Sequence, residues 1–192
     1  WLADELGTIE PFANIQVNGL IDSNNPDEAQ EIASTLLQAG YKTLKIKVGS
    51  SLLKDKQRIR AVRKAVGKDI KIRIDANGSW NFRQAFTIMK LIERYNIEYC
   101  EEALPFKEGK ESTFLRILHA TTQIPLAVDE SCRNEDTLNK IIESNAIKII
   151  IIKPSTTGLK ESLKIIKNAH NFGLKTVVTT TYDSGIGTTL AA

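Results

Sequence analysis

The sequence predicts an α/β protein whose parallel sheet is covered by helices, here an incomplete (β/α)8 barrel of the TIM type. Three observations predict it. Short runs rich in β-branched residues alternate with longer amphipathic stretches along the chain from about residue 15 onward. Several short runs, such as Ile149–Ile152 and Thr176–Val178, are apolar at consecutive positions, as strands covered on both faces are. The loop after the first strand, Asp22-Ser23-Asn24-Asn25, has no glycine, so it lacks the phosphate fingerprint that opens a doubly wound dinucleotide-binding sheet.

The elements follow in order. Ile15–Ile21 reads as the first strand. Asn25 then caps a helix, with Pro26 at its first position and Asp27 and Glu28 in its first turn. That helix runs to about Gln38 and stops at Gly40. Thr43–Val48 is the second strand, and Leu52–Val66 a helix with Leu53, Ile59, Val62 and Val66 near a 3.6-residue spacing. The unit then repeats. Strands are expected at Lys71–Asp75, Ile97–Glu101, Leu126–Asp129, Lys148–Lys153 and Lys175–Thr179. Helices are expected near Phe82–Tyr95, Glu111–Thr122, Glu135–Ser144 and Leu159–Phe172, and Ile186–Ala192 begins another. A complete barrel has eight strands in about 250 residues. Seven strands in 192 residues therefore read as a barrel short of its last strand, with two unpaired edges and an expected tendency to associate when isolated.

Composition narrows the function classes. Hydrophobic residues at 42% and charged residues at 26% exclude a disordered chain. Lys+Arg 26 against Asp+Glu 23 leaves only +3, and the basic residues are scattered, so no nucleic-acid partner is expected. No apolar run reaches the roughly 18–20 residues that cross a bilayer, so no membrane partner is expected either. Cys100 and Cys132 form no CxxC pair, which excludes a thiolate metal site and makes a reducing compartment the default, the cytoplasm, or a plastid in a photosynthetic eukaryote. The chain opens at Trp1 rather than Met, so the lack of a signal peptide within it says nothing of what precedes it.

The chemistry lies in how the strands end. Lys47 ends the second, Asp75 the third, Glu101 the fourth, Asp129 the fifth and Lys153 the sixth. In a barrel these C-terminal ends converge on one cavity. A single charged residue at a strand end is an ordinary encounter with water. Five in succession, in the order Lys, Asp, Glu, Asp, Lys, are not. Neighbouring parallel strands lie about 4.8 Å apart, so three carboxylates could reach one ion. An oxygen-ligated dication, of which Mg2+ is the usual case, would relieve their mutual repulsion. Lys45 and Lys47, two apart, share a face of their strand, and Arg73 and Asp75 share a face of the next.

These motifs together resemble a known family. Lys45-Ile46-Lys47, Arg73-Ile74-Asp75-Ala76-Asn77, Cys100-Glu101-Glu102, Val128-Asp129-Glu130-Ser131 and Ile152-Lys153-Pro154 are similar to the strand-end motifs of the enolase superfamily. More narrowly they resemble its muconate-cycloisomerase-like branch. Within that branch, Lys153-Pro154 with Thr156-Thr157-Gly158-Leu159, and then Thr179 through Gly187, are most similar to the o-succinylbenzoate synthases of menaquinone and phylloquinone biosynthesis. Two departures are visible. Ala103 stands where the family has proline, and Asp183 where glutamate is commoner.

The resemblance implies a mechanism. The family removes a proton α to a carboxylate, stabilises the enediolate on Mg2+, with Mn2+ able to substitute, and eliminates a β-hydroxyl. The substrate is a small anionic carboxylate, 2-succinyl-6-hydroxy-2,4-cyclohexadiene-1-carboxylate. By position, Asp75, Glu101 and Asp129 match the metal ligands, Lys47 the acid/base, Lys153 the lysine across the ring, and Lys45 the residue that tunes Lys47. Alternation lets only one of Glu101 and Glu102 point inward, and the family position selects Glu101. Arg73 and Asn77 would support the ligands from behind. Thr180, Ser184 and Gly185 would take the succinyl carboxylate at a helix start, although the same glycine loop also fits an ordinary turn. Residues 1–14 would be the end of a connection from a capping domain, and 15–192 the barrel domain. The same residues also fit a racemase of N-acylamino acids or a dipeptide epimerase. A non-enzymatic reading, an inactive barrel fragment, predicts neither metal affinity nor turnover.

Overall fold

Local sequence starts and stops the helices. In the computed structural model, which describes residues 15–107, 109–181, 183, 184 and 188, helix α1 spans Pro26–Gln38. The Asn25 side chain accepts the Asp27 N–H at its start. Helix α2, Leu52–Val66, ends at Gly67, whose φ of +72° suits glycine. Helix α3, Phe82–Ile92, opens on a reciprocal box between Asn81 and Gln84 and runs into a 3-10 turn at Glu93–Tyr95. Helices α4, Lys110–Thr121, and α5, Glu135–Ser144, follow, and Asn134 caps the second. A single turn α6, Pro154–Thr157, precedes α7, Leu159–Asn171.

Seven strands alternate with these helices: β1 Gly19–Ile21, β2 Thr43–Lys47, β3 Lys71–Asp75, β4 Ile97–Glu101, β5 Leu126–Val128, β6 Ile149–Ile152 and β7 Lys175–Val178. They form one curled parallel sheet in the order β1-β2-β3-β4-β5-β6-β7. Strict sequential order has no reversal point, which is what a doubly wound sheet requires. One face packs on the helices in a core that includes Leu44, Ile46, Ile72, Ile74, Leu126, Val128 and Ile150, all buried. The concave face carries a second, smaller apolar cluster of Tyr99, Ala127, Ile149 and Ile151, with Val177 against it.

Several expected boundaries differ, and three bear on the site. The first strand is shorter than Ile15–Ile21, because Gly19 pairs with Leu44 and β2 offers nothing to pair with before Thr43. Ile15 and Val17 are accordingly exposed. Asp129 and Lys153 lie just past the ends of β5 and β6, where the backbone turns into the following loop. The turn α6 was not expected; Pro154 at its first position explains it. The expected capping-domain connection over residues 1–14 and the last helix expected from Ile186 lie outside the described residues, except for Thr188.

Candidate active site

Register sets the inward row. Lys47 of β2 lies opposite Asp75 of β3, and Asp75 opposite Glu101 of β4. That alignment depends on a β-bulge. Ile72 pairs with Ile97, yet Arg73 pairs with Tyr99, so Glu98 is one residue too many. Without it Asp75 would face Cys100, whose side chain belongs to the helix-side core, and the two carboxylates would point to opposite faces. Beyond Glu101 the row continues into Ala127 and Ile149. Asp129 therefore stands two residues further along its strand line than Ala127. Lys153 stands two beyond Ile151, which shares its row with Val177. This climb from strand to strand is the stagger of a curled sheet.

The side chains meet accordingly. Lys45, one inward position before Lys47, reaches forward to Asp75 and Glu101, with its Nζ 2.8 Å from Asp75 Oδ2 and 2.8 Å from Glu101 Oε1. Burial alone would lower the pKa of this ammonium, but the Glu101 and Asp75 carboxylates outweigh it and hold Lys45 above the ordinary lysine value. Glu101 is 1% exposed. Burial first, then the charges of Asp75 and Asp129, push its carboxyl up to about 8 against the pull of Lys45. Asp75 Oδ1 accepts the Asn77 N–H at 3.0 Å, and Asn77 takes φ +46° to present it. Asp129 is paired with Lys153, and Glu130 lies 3.8 Å from the same ammonium. The Lys47 ammonium, half-buried, has no hydrogen bond or ion pair with any described residue.

The donors fit a divalent cation in chemistry more than in closeness. Among the described residues no three His, Cys, Asp or Glu side chains gather into a ready cluster. Asp75 and Glu101 converge on Lys45, while Asp129 is drawn to Lys153. Glu101 Oε2, however, is buried without a partner, and the like charges of Asp75 and Asp129 destabilise the ionised Glu101. A dication would satisfy that oxygen and reverse that repulsion.

Glu102 has a different task. It sits at φ +44°, where the other non-glycine residues described are Asn77, Asn96 and Asn145. Asparagine tolerates this region; a glutamate there is uncommon and strained. Its Oε1 accepts the Asp129 and Ser131 N–H groups, each at 2.8 Å, and its Oε2 accepts the Ser131 hydroxyl at 2.9 Å. Burial raises its pKa, and these donors oppose the rise. Its acceptors are spent behind the loop, which leaves Glu101 as the inward glutamate.

The remaining candidates are dispersed. Arg73 is turned away from Asp75. Its Nε lies 2.6 Å from Glu98 and its guanidinium 5.0 Å from the Tyr99 ring centre. Asn77 supports Asp75 through its backbone, and its side chain is exposed. Thr180 and Ser184 are exposed, with no described bond to the strand-end residues, and the Ser184 carbonyl accepts the Thr188 N–H at 3.0 Å. Gly185 lies outside the described residues. A cleft of about 160 Å³ opens beside Lys153 and Asp129, lined also by Arg133, Thr156, Thr157 and Thr181. A larger hollow of about 580 Å³ lies on the outer surface between α4 and α5, away from the strand ends.

Sequence reading missed one structural pair. Asp55 and Arg58 are buried together, with Asp55 Oδ1 2.5 Å from Arg58 Nη2. Asp55 Oδ2 accepts the Gly49 N–H at 2.9 Å, and Arg58 Nη1 donates to the Ser23 carbonyl at 2.6 Å. The pair thus ties the loops after β1 and β2 to α2. The signal was present: Asp55 falls on the stripe of Ile59, Val62 and Val66, the buried face of α2.

A sequential, curled parallel sheet with ionisable groups at its C-terminal strand ends is consistent with an incomplete TIM-type barrel, a fold whose active sites lie at that rim. Residues 27–192 match the enolase C-terminal domain-like family, and the chain belongs to it, within the enolase superfamily. The D-Ala-D/L-Ala epimerase of Cytophaga hutchinsonii is 32% identical over 179 residues, 93% of this chain and 48% of that protein. The o-succinylbenzoate synthase of Thermobifida fusca is 28% identical over 190 residues, 96% of this chain and 56% of that protein. The crystal structure of the dipeptide epimerase from Cytophaga hutchinsonii, complexed with Mg and the dipeptide D-Ala-L-Val, superposes with a TM-score of 0.89 at 31% identity. That match covers 99% of this chain and 51% of that one. The chain spans about half the length of these relatives.

Proposed function

We propose that this chain carries the catalytic rim of a Mg2+-dependent enzyme that moves a proton at the carbon next to a carboxylate, and that its reaction is o-succinylbenzoate synthesis. The observation that carries the reading is the run of ionisable groups at or just past five consecutive strand ends, Lys47, Asp75 and Glu101 on one row and Asp129 and Lys153 a step further out, with Lys47 unpaired among the described residues. On this reading the seven strands belong to a (β/α)8 barrel, and residues 1–14 lead in from a capping domain. Asp75, Glu101 and Asp129 hold the ion. When bound, the ion offsets the negative charge that grows on the substrate carboxylate as the neighbouring carbon loses its proton. Lys47 takes that proton. The electron pair left behind forms the ring double bond as the carbon–oxygen bond breaks, and the Lys47 ammonium returns its proton to the departing hydroxyl, which leaves as water. Lys153 keeps a positive charge beside the reacting carboxylate.

A second reading is favoured by a specific observation. Two lysines flank the carboxylates, which is the arrangement that proton exchange on both faces of one carbon needs, and the Cytophaga relative was crystallised with a dipeptide. It would make the protein an N-acylamino acid racemase or dipeptide epimerase. One experiment separates them. The whole protein with Mg2+ is given the cyclohexadiene substrate, a panel of dipeptides and N-acylamino acids in parallel. Release of o-succinylbenzoate in preference to any epimerisation supports the synthase. Epimerisation alone moves the assignment to the second reading, and turnover of none refutes both.

A further inference from the structure

We propose that Glu102, which is not among the ion's ligands, is a positioning residue that sets the place of Asp129 relative to Glu101 and Asp75 and thereby tunes divalent-cation affinity. The inference rests on the reading that these three carboxylates hold the ion.

Glu102 bonds to all three strand-end segments that carry them. It follows Glu101 directly, so its backbone fixes where that strand leaves the sheet. Its N–H donates to the Ala127 carbonyl at 2.9 Å, within β5. Its carbonyl accepts the Gly78 N–H at 2.7 Å, in the loop that follows Asp75. Its carboxylate accepts the Asp129 N–H and both Ser131 donors. Ser131 Oγ in turn accepts the Phe106 N–H at 2.7 Å, closing the loop after β4 onto the loop after β5. The segment is drawn in closely: a Cβ on Gly78 would lie 3.0 Å from Pro105.

Two features argue that this is more than packing. The residue is 2% exposed, and its acceptors are matched by donors from one neighbouring loop. It also holds a left-handed backbone that a glutamate adopts only where the surroundings impose it. An aspartate just past the end of β5 has no ladder bond to place it; the clamp on its own N–H does so instead. Partners one step behind the ligands of an ion commonly set its affinity.

The test is a calorimetric Mg2+ titration of the whole protein as wild type, Glu102→Ala, Glu102→Gln, Asp129→Asn and the Glu102→Ala/Asp129→Asn double variant. Thermal melts follow in parallel. Glu102→Ala is expected to weaken Mg2+ binding about 10–100-fold. Glu102→Gln, whose amide oxygen still accepts both N–H groups, returns it close to wild type. In the Asp129→Asn background Glu102→Ala has little further effect, because it acts through Asp129. Unchanged affinity in Glu102→Ala, or full additivity in the double variant, overturns the inference. If Glu102→Ala does not fold, Glu102→Asp decides: its carboxylate is one methylene too short for the Asp129 N–H, so weakened binding supports the clamp and unchanged binding overturns it. A wild type that binds no Mg2+ fails the functional reading itself, and the inference falls with it.

Discussion

Replacing Asp55 by alanine is expected to cost about 3–5 kcal/mol of stability, because it leaves a buried guanidinium without its carboxylate. Asp55 is 0% exposed and Arg58 2%. Arg58 cannot escape to water, and its Nε is already buried without a partner. The Gly49 N–H loses its acceptor in the same step. Whole-domain stabilities are only about 5–15 kcal/mol, so the loss is a large share of the total. Asp55→Asn keeps an acceptor for Gly49 but not the charge, and falls between wild type and Asp55→Ala. The decisive comparison is Asp55→Leu with Arg58→Met together. Removing both charges abolishes the uncompensated one and leaves the Ser23 carbonyl and the Gly49 N–H unsatisfied, at about 1–3 kcal/mol each, and the second of these is lost in Asp55→Ala as well. The double variant is therefore more stable than Asp55→Ala alone. Urea unfolding of the whole protein, followed by far-UV circular dichroism, measures each. A loss below about 1 kcal/mol for Asp55→Ala, or a double variant as unstable as the summed single ones, refutes the reasoning.

Three further predictions concern the same rim. Asp129→Asn should weaken Mg2+ binding strongly in calorimetric titration, since it removes one of the three charges proposed to hold the ion; equal affinity rules out that ligand. Gly49→Ala should lower the melting temperature, because the backbone has φ +112° and the new Cβ would lie 1.9 Å from Ser79 Oγ; an unchanged melt contradicts that crowding. Cys100 and Cys132 should resist thiol reagents near pH 8 until the protein unfolds. Burial above all, and then nearby carboxylates, push Cys132 up to about 12 and Cys100 well above its ordinary value, so neither holds appreciable thiolate near pH 8. Fast labelling of the native protein would show the thiols to be accessible.

Much of this was legible because the chain changes character abruptly where a strand ends. Lys47, Asp75 and Glu101 each end a strand, and the structure puts all three on one row of the sheet. What sequence could not supply was the register that makes the row. The extra residue at Glu98 is a property of a pair of strands and leaves no mark in either alone. Long side chains were equally opaque. Alternation placed Lys45 beside Lys47, but only coordinates show it bridging Asp75 and Glu101. Arg73 shares the face of Asp75 as alternation requires, yet its guanidinium turns toward Glu98 and Tyr99. Nor does the sequence show that Glu102 spends its acceptors on the Asp129 and Ser131 donors of the next loop.

The proposed base is Lys47, in a site whose ion other residues would hold. The most direct measurement is Mg2+ binding and turnover of the cyclohexadiene substrate, side by side, in wild type and Lys47→Ala of the whole protein. Mg2+ affinity close to wild type and turnover reduced by roughly 10²–10⁴-fold are expected. Substantial dehydration by Lys47→Ala, with its ion still bound, would contradict that role.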